Sequence, residues 1–357
     1  MSMVIFISAG SGCVLEIKIE NSLSVQECVQ DAHIVHTLPV LVVHAHSSCN
    51  CRCIMCDIWK TREAKIFHVS DLEPQLESIR RLGVRWIVFS GGEPLMNPEL
   101  PQLCSILRDI GIRLTLLSTG LLLKKWASSV AASFDDVIVS LDGPPAVHDA
   151  IRRVQGAFGL LQAGICAVRE VRGDMQITAR STVQKANHNH LLEIARAAKL
   201  LQLNGISFLA ADVTSSAFNR SLIWPTSRQA EIGLSLSESR VLEDQIEALI
   251  RDSKEEFGAG FIAESPAKLR KISRHFRVQL GLESAESPVC NAPWTSGVIE
   301  ADGEVRPCFF HESIGNLRNA SLEAILNGAR GLEFRKSLDI ATNSICRNCV
   351  CSLNYRP

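Results

Sequence analysis

The sequence predicts an α/β fold in which short strands and helices alternate along residues 38–211. Short apolar runs supply the strands, and helical patterns separate them. The predicted strands are 38–43, 84–90, 112–118, 137–141, 175–183 and 206–209. The predicted helices are 71–82, 98–109, 124–132, 157–171 and 191–203. Because helical crossovers join parallel strands, we expect a partial (β/α)6 TIM-like barrel that binds ligands at the carboxyl ends of its strands.

The composition is that of a globular protein. The chain has 357 residues, a formal net charge of -1, 46% hydrophobic residues and 21% charged residues. This balance gives no basic field for nucleic acid, and no apolar run reaches the roughly 18 residues of a membrane span. Residues 1–7 lack the basic flank of a secretory signal, and we interpret them as a strand. The sequence therefore predicts a cytoplasmic protein with neither a nucleic-acid nor a membrane partner.

The sequence pattern changes along the chain and divides it into four regions. The regions are 1–37, an N-terminal extension; 38–211, the barrel; 212–288, a bridging helical segment; and 289–357, a cysteine-bearing module. Within the bridge, helical patterns cover 238–251 and 266–275. The stretch 210–225 is interpreted as a packed loop, although four of its side chains could line a substrate entrance. These are Phe218, Asn219, Arg220 and Trp224.

The cysteines are numerous and unevenly spread. Nine of the 13 fall into two groups, and the close spacing favours metal ligation over disulfides. The first group is Cys49, Cys51, Cys53 and Cys56, and the second is Cys290, Cys308, Cys346, Cys349 and Cys351. The four isolated cysteines are predicted to be small buried residues. They are Cys13, Cys28, Cys104 and Cys166.

The first group contains a C-x3-C-x2-C motif directly after the first predicted strand. Its cysteines are Cys49, Cys53 and Cys56. Three thiolates would leave one iron of a 4Fe–4S cluster without a protein ligand, so that a small molecule can chelate it. A closed zinc site is the alternative, and it needs a fourth ligand. Cys51, His44 or His46 would supply that ligand, so the motif alone leaves both options open.

Three further stretches end predicted strands in turn. They are Ser-Gly-Gly-Glu-Pro at 90–94, Ser-Thr-Gly at 118–120, and the segment from Ser-Leu-Asp-Gly to Arg at 140–152. Together with the cysteine motif they resemble the radical S-adenosylmethionine (SAM) enzymes over residues 38–211. The resemblance implies a 4Fe–4S cluster whose open iron binds SAM. It also implies reductive cleavage of SAM to a 5′-deoxyadenosyl radical, which takes a hydrogen atom from the substrate.

The resemblance implies a set of cofactor-binding residues. It makes Cys49, Cys53 and Cys56 the cluster ligands and leaves Cys51 out. The implied SAM-binding residues are Met55, Gly91, Gly92, Glu93, Thr119, Ser140, Asp142 and Arg180. Strand alternation points Ser140, Asp142 and Arg180 into the barrel. Two roles stay open for Arg180, which would bind the SAM carboxylate or pair with Asp142. Glu93 would accept a bond from the SAM ammonium or brace its loop, and Met55 would meet the adenine or pack in the core.

The second group resembles the SPASM/Twitch extensions of radical SAM enzymes. Its pattern is C-x12-G-x4-C followed by C-x2-C-x-C. The resemblance implies one auxiliary 4Fe–4S cluster, because the sequence ends six residues after the last cysteine. The implied ligands are Cys290, Cys308, Cys346 and Cys349, with Cys351 as a spare or a substitute. A four-cysteine zinc ribbon is the alternative. We expect the auxiliary cluster to accept an electron from the substrate radical.

The expected function is net oxidation of a small molecule by a radical SAM oxidoreductase. A maturase that modifies a side chain of a ribosomal peptide is the first alternative, and a non-catalytic metal-binding scaffold is the second. About 37 residues precede the first strand, which we expect to be too few for a leader-binding domain. The resemblance also implies a reductant such as flavodoxin or ferredoxin. No catalytic base is assigned from the sequence.

Overall fold

The computed structural model describes residues 32–220 and 222–356. The strand expected at residues 1–7 lies outside the described residues, as do Cys13, Cys28 and most of the N-terminal extension. None of the described helices is both long enough and apolar enough to cross a membrane.

The described strands form one sheet. Its spatial order is β6-β5-β4-β3-β2-β1-β7-β8-β9. The strands are Val40–His46 (β1), Trp86–Gly91 (β2), Arg113–Ser118 (β3), Asp136–Ser140 (β4), Gln176–Val183 (β5), Gly205–Ala210 (β6), Ser296–Ile299 (β7), Glu304–Arg306 (β8) and Gly315–Asn316 (β9). The first six are the predicted strands, and neighbouring strands among them pair in parallel. The predicted barrel plan is therefore confirmed.

Helices follow most of the barrel strands and cover the outer face of the sheet. Those of the barrel are Val69–Leu72 (α1), Leu76–Arg81 (α2), Leu100–Asp109 (α3), Leu123–Ser133 (α4), Pro145–Arg152 (α5), Ala157–Val171 (α6) and Leu191–Leu200 (α7). The single helix predicted at 71–82 is broken by a 3-10 turn at Glu73–Gln75, where Pro74 offers no N–H to an α-helix. The sequence did not predict helix α5, which begins at Pro145 directly after the motif that ends β4.

The cysteine-bearing region contributes strands to the barrel sheet, which the sequence did not predict. Strand β7 pairs in parallel with β1, from Val40 opposite Ser296 to Val43 opposite Ile299. Strands β8 and β9 then continue the sheet in antiparallel pairs. These strands are only two to four residues long, so their local pattern is weak. Their pairing fixes the second cysteine group against the first barrel strand.

The bridging segment is helical and packs beside strand β6. Its helices are Thr226–Ile232 (α8), Leu236–Asp252 (α9), Lys254–Gly258 (α10) and Pro266–Gln279 (α11). A short parallel bridge joins Ile206 to Ile262, and the buried Glu264 carboxylate accepts a hydrogen bond from the Phe208 N–H at 2.9 Å. The bridge thereby covers the edge of β6, where backbone groups would otherwise lack partners. Four short helices complete the C-terminal region: Ala292–Thr295, Leu322–Asn327, Ala329–Ser337 and Ser344–Arg347.

The strand faces follow the predicted alternation. Val137, Val139 and Leu141 lie in the main apolar core, and so does Ile177 of β5. Of the isolated cysteines, Cys104 is fully buried as predicted. The prediction for Cys166 is wrong, because this residue lies on the exposed face of α6.

Candidate active site

The loop after β1 carries the first cysteine group at the carboxyl ends of the strands. Cys49, Cys53 and Cys56 line one cavity, which measures about 630 Å³ including its open mouth. The loop is anchored from two sides. Its Arg52 and Ile54 N–H groups, on either side of Cys53, donate to the last carbonyls of α5, each at 3.0 Å. The barrel therefore holds the loop in place. We call the space that these cysteines line the first cysteine cavity.

Most residues that the resemblance implied for SAM meet in the first cysteine cavity. Six of the eight line it: Met55, Gly91, Gly92, Thr119, Ser140 and Arg180. The remaining two, Glu93 and Asp142, are fully buried behind its wall. Sequence reasoning did not assign a cofactor role to five other lining residues. These are Ile58, Arg152, Thr182, Asp212 and Phe218.

Two glycines bring strand β2 against the cysteine loop. A Cβ on Gly92 would lie 2.0 Å from the Ser48 carbonyl oxygen, and one on Gly91 would lie 2.6 Å from that of His46. Gly91 also has a φ of +118°, a conformation that favours glycine. The Gly92 N–H donates to the His46 carbonyl at 2.8 Å. Glycine is thus required here by close packing within the protein, before any cofactor is considered.

Glu93 braces the loops around the cavity. Its carboxylate accepts hydrogen bonds from the Thr119 N–H at 2.7 Å, the Thr119 hydroxyl at 2.6 Å and the Ser118 hydroxyl at 2.9 Å. It also accepts from the Leu95 N–H at 3.1 Å. Burial raises the pKa of Glu93, and these bonds oppose that rise. The observed contacts are those of the bracing role, one of the two roles left open.

Asp142 pairs with Arg152 and not with Arg180. The Asp142 and Arg152 side chains approach to 2.5 Å, and the other Asp142 oxygen accepts a bond from the Thr182 N–H at 2.9 Å. Arg180 instead donates through Nε to the Ser207 hydroxyl at 3.1 Å, while it also lines the cavity. Burial lowers the pKa of Arg180, and the nearby Cys351 and Glu264 act in the opposite direction. Its predicted bond to a carboxylate ligand stays a prediction.

The second cysteine group also lines a single cavity, which measures about 880 Å³ including its open mouth. All five of its cysteines contribute: Cys290, Cys308, Cys346, Cys349 and Cys351. His311 lies at the same wall, with Nε2 3.5 Å from Cys346 Sγ. Burial lowers the pKa of His311 and so favours its neutral form. Sequence reasoning missed this histidine, although its place three residues after Cys308 in Cys-Phe-Phe-His was a usable signal.

A third and larger cavity lies between the two cysteine cavities. It measures about 1190 Å³ including its open mouth, and we call it the central cavity. It shares Gly91, Gly92 and Phe218 with the first cysteine cavity. It shares His44, Phe309 and Phe310 with the second. The central cavity therefore adjoins both cysteine-lined spaces.

An ion-paired histidine stands where the central cavity meets the second cysteine cavity. His44 Nδ1 lies 2.7 Å from Glu300 Oε2, and Arg306 Nε donates to the other Glu300 oxygen at 2.8 Å. Burial opposes ionisation of Glu300, but His44 and Arg306 overcome it and lower the pKa of Glu300 to about 2. Because His44 Nδ1 contacts Glu300, Nε2 is the ring nitrogen left to exchange a proton with a ligand. The sequence had offered His44 only as a zinc ligand.

The loop after β6 both packs against the cysteine loop and lines the central cavity. The Arg220 guanidinium stacks 3.8 Å from the centre of the Trp224 ring and pairs with Asp212 at 2.7 Å. The Trp224 indole N–H donates to Asp57 at 2.8 Å. The interpretation of 210–225 as a packed loop therefore holds for Trp224. The other three residues that had been singled out line the central cavity: Phe218, Asn219 and Arg220.

Comparison with protein families identifies both halves of the site. Residues 45–198 match the radical SAM superfamily, and residues 290–350 match SPASM, an iron-sulfur cluster-binding domain. The chain carries a radical SAM domain followed by a SPASM domain. This radical SAM enzyme uses SAM and a 4Fe–4S cluster, and its SPASM domain binds auxiliary iron–sulfur clusters. Its resemblance to that family is thus confirmed.

Curated relatives match most of this radical SAM chain at low identity. The Fe-coproporphyrin III synthase of Methanosarcina barkeri is 26% identical over 345 residues, which cover 89% of this chain and 83% of the relative. The AdoMet-dependent heme synthase of Oleidesulfovibrio alaskensis is 24% identical over 292 residues, which cover 78% of this chain and 71% of the relative.

Solved structures support the radical SAM fold. Streptococcus suis SuiB bound to the precursor peptide SuiA has a TM-score of 0.63 and 16% identity, and the match covers 94% of this chain and 79% of that one. Native anSMEcpe with bound AdoMet has a TM-score of 0.64 and 18% identity, covering 83% and 82%. At this identity the likeness shows the fold alone.

The residues of the two cysteine cavities fit the implied clusters. Each set of thiols faces one shared space, as the ligands of a thiolate-bound cluster must. Each of the three sulfurs at the first cavity also accepts a hydrogen bond. Cys49 Sγ accepts from the Cys51 N–H at 3.4 Å, and Cys56 Sγ accepts from the Ile58 N–H at 3.4 Å. Cys53 Sγ accepts from Arg152 Nη1 at 3.5 Å.

Proposed function

We propose that this radical SAM enzyme oxidises a small molecule held in the central cavity, between a SAM-cleaving cluster and an auxiliary cluster. The observation that carries the proposal is the shared wall of the three cavities. Gly91, Gly92 and Phe218 join the central cavity to the first cysteine cavity, while Phe309 and Phe310 join it to the second. Hydrogen removal on one side and electron removal on the other together make a two-electron oxidation.

The first cysteine cavity would hold the SAM-cleaving centre. Cys49, Cys53 and Cys56 are the proposed ligands of three irons. When bound, the cluster and SAM supply a 5′-deoxyadenosyl radical, which takes a hydrogen atom from the substrate. The proposed SAM-binding residues are Met55, Gly91, Gly92, Thr119, Ser140 and Arg180. Arg180 suits the SAM carboxylate because a guanidinium donates two parallel bonds to a planar anion. Glu93 and Asp142 act behind them as braces.

The second cysteine cavity would hold the auxiliary cluster. We assign its ligands as Cys290, Cys308, Cys346 and Cys349, with Cys351 as a fifth donor near Cys349. The Cys351 N–H donates to Cys349 Sγ at 3.3 Å, so Cys351 is held next to the ligand set. Full ligation by protein would leave this cluster to accept an electron and not to bind substrate. An external one-electron donor of the flavodoxin or ferredoxin class would reduce the SAM-cleaving cluster.

His44 is the proposed proton acceptor. For a substrate that carries a hydroxyl on the reacting carbon, loss of the C–H hydrogen atom leaves a carbon radical. An auxiliary cluster, when bound, would supply the acceptor for one electron, and His44 Nε2 would take the hydroxyl proton, so that the reacting carbon would become a carbonyl group. Glu300 stabilises the resulting imidazolium at 2.7 Å, and Arg306 keeps Glu300 ionised.

A tetrapyrrole is the first substrate class to test. The relatives that cover most of this chain are named for Fe-coproporphyrin III and heme synthesis. The central cavity also presents an aromatic wall, in which the rings of Phe218 and Phe309 have centres 5.0 Å apart and those of Phe309 and Phe310 5.2 Å apart. Such a wall suits a flat conjugated ring. A ribosomal peptide is the competing class.

The test is an anaerobic assay of the reconstituted, reduced protein with SAM. Fe-coproporphyrin III and an extract of small peptides serve as separate probes, and mass spectrometry follows 5′-deoxyadenosine and the mass of each probe. We expect the mass of a small-molecule substrate to fall by that of two hydrogen atoms, or by that of one hydrogen atom and one carboxyl group. The Cys346→Ala/Cys349→Ala variant should still cleave SAM but release no oxidised product. Modification of a peptide alone would contradict the proposal, and so would unchanged product from the variant.

A further inference from the structure

The three sulfurs of the first cysteine group differ in what donates to them. Cys49 and Cys56 accept from backbone N–H groups, whereas Cys53 accepts from the Arg152 guanidinium at 3.5 Å. A backbone N–H carries only a partial charge, and a guanidinium carries a full one. Cys53 therefore stands in a different electrostatic environment from its two partners.

Arg152 is fixed in place and shielded from solvent. Only 5% of its surface is exposed, and it is the last residue of α5. Its Nη2 lies 2.5 Å from Asp142, which is itself held by the Thr182 N–H at 2.9 Å. The Arg152 carbonyl accepts from the Arg52 N–H at 3.0 Å, one residue before Cys53. The guanidinium and the cysteine loop are thus attached to the same helix end and cannot separate without breaking these bonds.

We propose that Arg152 is a positioning residue that sets the reduction potential of the SAM-cleaving cluster through its bond to Cys53, with Asp142 partly offsetting its charge. The inference rests on the proposed function, because it takes Cys53 as a cluster ligand.

The direction of the effect follows from charge. Reduction adds one electron, supplied by the external donor, and moves no proton. A buried cation beside Cys53 stabilises the added negative charge and raises the potential. Asp142 is an anion that pairs with Nη2 of the same guanidinium, and it acts in the opposite direction. The two residues should therefore shift the potential with opposite signs when each is neutralised.

The test is a potentiometric titration of the reconstituted holoenzyme without substrate, followed by the electron paramagnetic resonance (EPR) signal of the SAM-cleaving cluster. We expect Arg152→Gln to lower the equilibrium constant of reduction about tenfold, which is about 59 mV for one electron. Asp142→Asn should raise the potential, because the arginine charge is then uncompensated. Arg152→Lys keeps the charge and should lie between the wild type and Arg152→Gln. Arg153→Gln changes an exposed neighbouring residue and is the matched control.

A purely structural role for Arg152 would not give shifts of opposite sign. Wild-type potentials in fully loaded Arg152→Gln and Asp142→Asn, or shifts of the same sign, would overturn the inference. If Arg152→Gln fails to hold iron, Asp142→Asn decides by itself: a raised potential supports the inference and an unchanged potential overturns it. These outcomes are separate from failure of the proposed function, which would appear as missing 5′-deoxyadenosine or missing product while the potentials still respond.

Discussion

The two cysteine sites are built in different ways. The first takes three cysteines from eight consecutive residues and fastens their loop to the end of α5 and to β2 through backbone bonds. The second gathers cysteines from positions 290 to 351, and strand β7 attaches the region to the barrel. A local motif on a rigid frame suits a centre whose open iron must be placed accurately. An assembly from distant segments suits a closed centre that only exchanges electrons.

The largest expected effect separates the two sites by their role in SAM cleavage. Cys53→Ala should lower 5′-deoxyadenosine formation by at least about 100-fold. Changes to residues that only support a metal ligand cost up to about 100-fold, and loss of a ligand should cost more. Cys346→Ala should leave SAM cleavage largely intact. Cys51→Ala, beside the ligands but not among them, is the control. Equal loss of SAM cleavage in Cys53→Ala and Cys346→Ala would remove the distinction between the sites.

The tight packing of the first site gives the second expected effect. Gly92→Ala would place a Cβ 2.0 Å from the Ser48 carbonyl and push the cysteine loop away from β2. We expect the variant to lose the iron of the first cluster while it retains the auxiliary cluster. Iron analysis with EPR measures this loss. Gly159→Ala is the matched control, since nothing lies within 4 Å of a Cβ there. Full loading of Gly92→Ala would contradict the close-packing argument.

A smaller effect is expected from the histidine at the second site. His311→Gln removes the imidazole 3.5 Å from Cys346 Sγ and keeps a side-chain amide. We expect product formation to fall about 10-fold, at the lower end for groups outside a ligand set. SAM cleavage should not change, and the auxiliary EPR signal should shift. A shift in the SAM-cleaving cluster instead would show that the two sites are not electronically separate.

The smallest effect concerns pH and the bridge that covers β6. Burial raises the pKa of Glu264 to about 7, so the folded protein holds this proton more tightly than the unfolded chain. The stability that results is present below the ordinary pKa of 4.5 and is lost as the pH rises through about 7. Glu264→Gln should reduce the difference in the free energy of unfolding between low and high pH by about 1 to 3 kcal/mol. Thermal unfolding of the wild type and of Glu264→Gln at pH 5 and pH 8 measures this difference. Equal changes in stability between the two pH values in both proteins would contradict the burial argument.

The sequence predicted what local pattern determines. Strands β3 to β6 and helix α6 follow from runs of apolar residues, and the inward-facing Ser140 and Arg180 follow from alternation along their strands. The resemblance to radical SAM enzymes implied that the cysteine motif and the glycine pair serve one cofactor, and both line the first cysteine cavity. These features need only neighbouring residues for their recognition.

What the sequence did not predict depends on distant contacts. His44 and Glu300 are 256 positions apart, and Arg152 and Cys53 are 99 apart. No local period relates such residues, and strand β7 is too short to be recognised without its partner β1. The exposure of Cys166 was missed for a similar reason, since burial depends on which face of α6 the barrel covers.

The most direct measurement is the EPR spectrum of the reduced Cys346→Ala/Cys349→Ala protein, recorded with and without SAM. In this variant the auxiliary cluster should be absent, so the signal reports the first site alone. The account predicts a 4Fe–4S signal that changes when SAM is added, because SAM binds the iron that Cys49, Cys53 and Cys56 leave open. A signal indifferent to SAM, or a protein that binds zinc in place of iron, would contradict it.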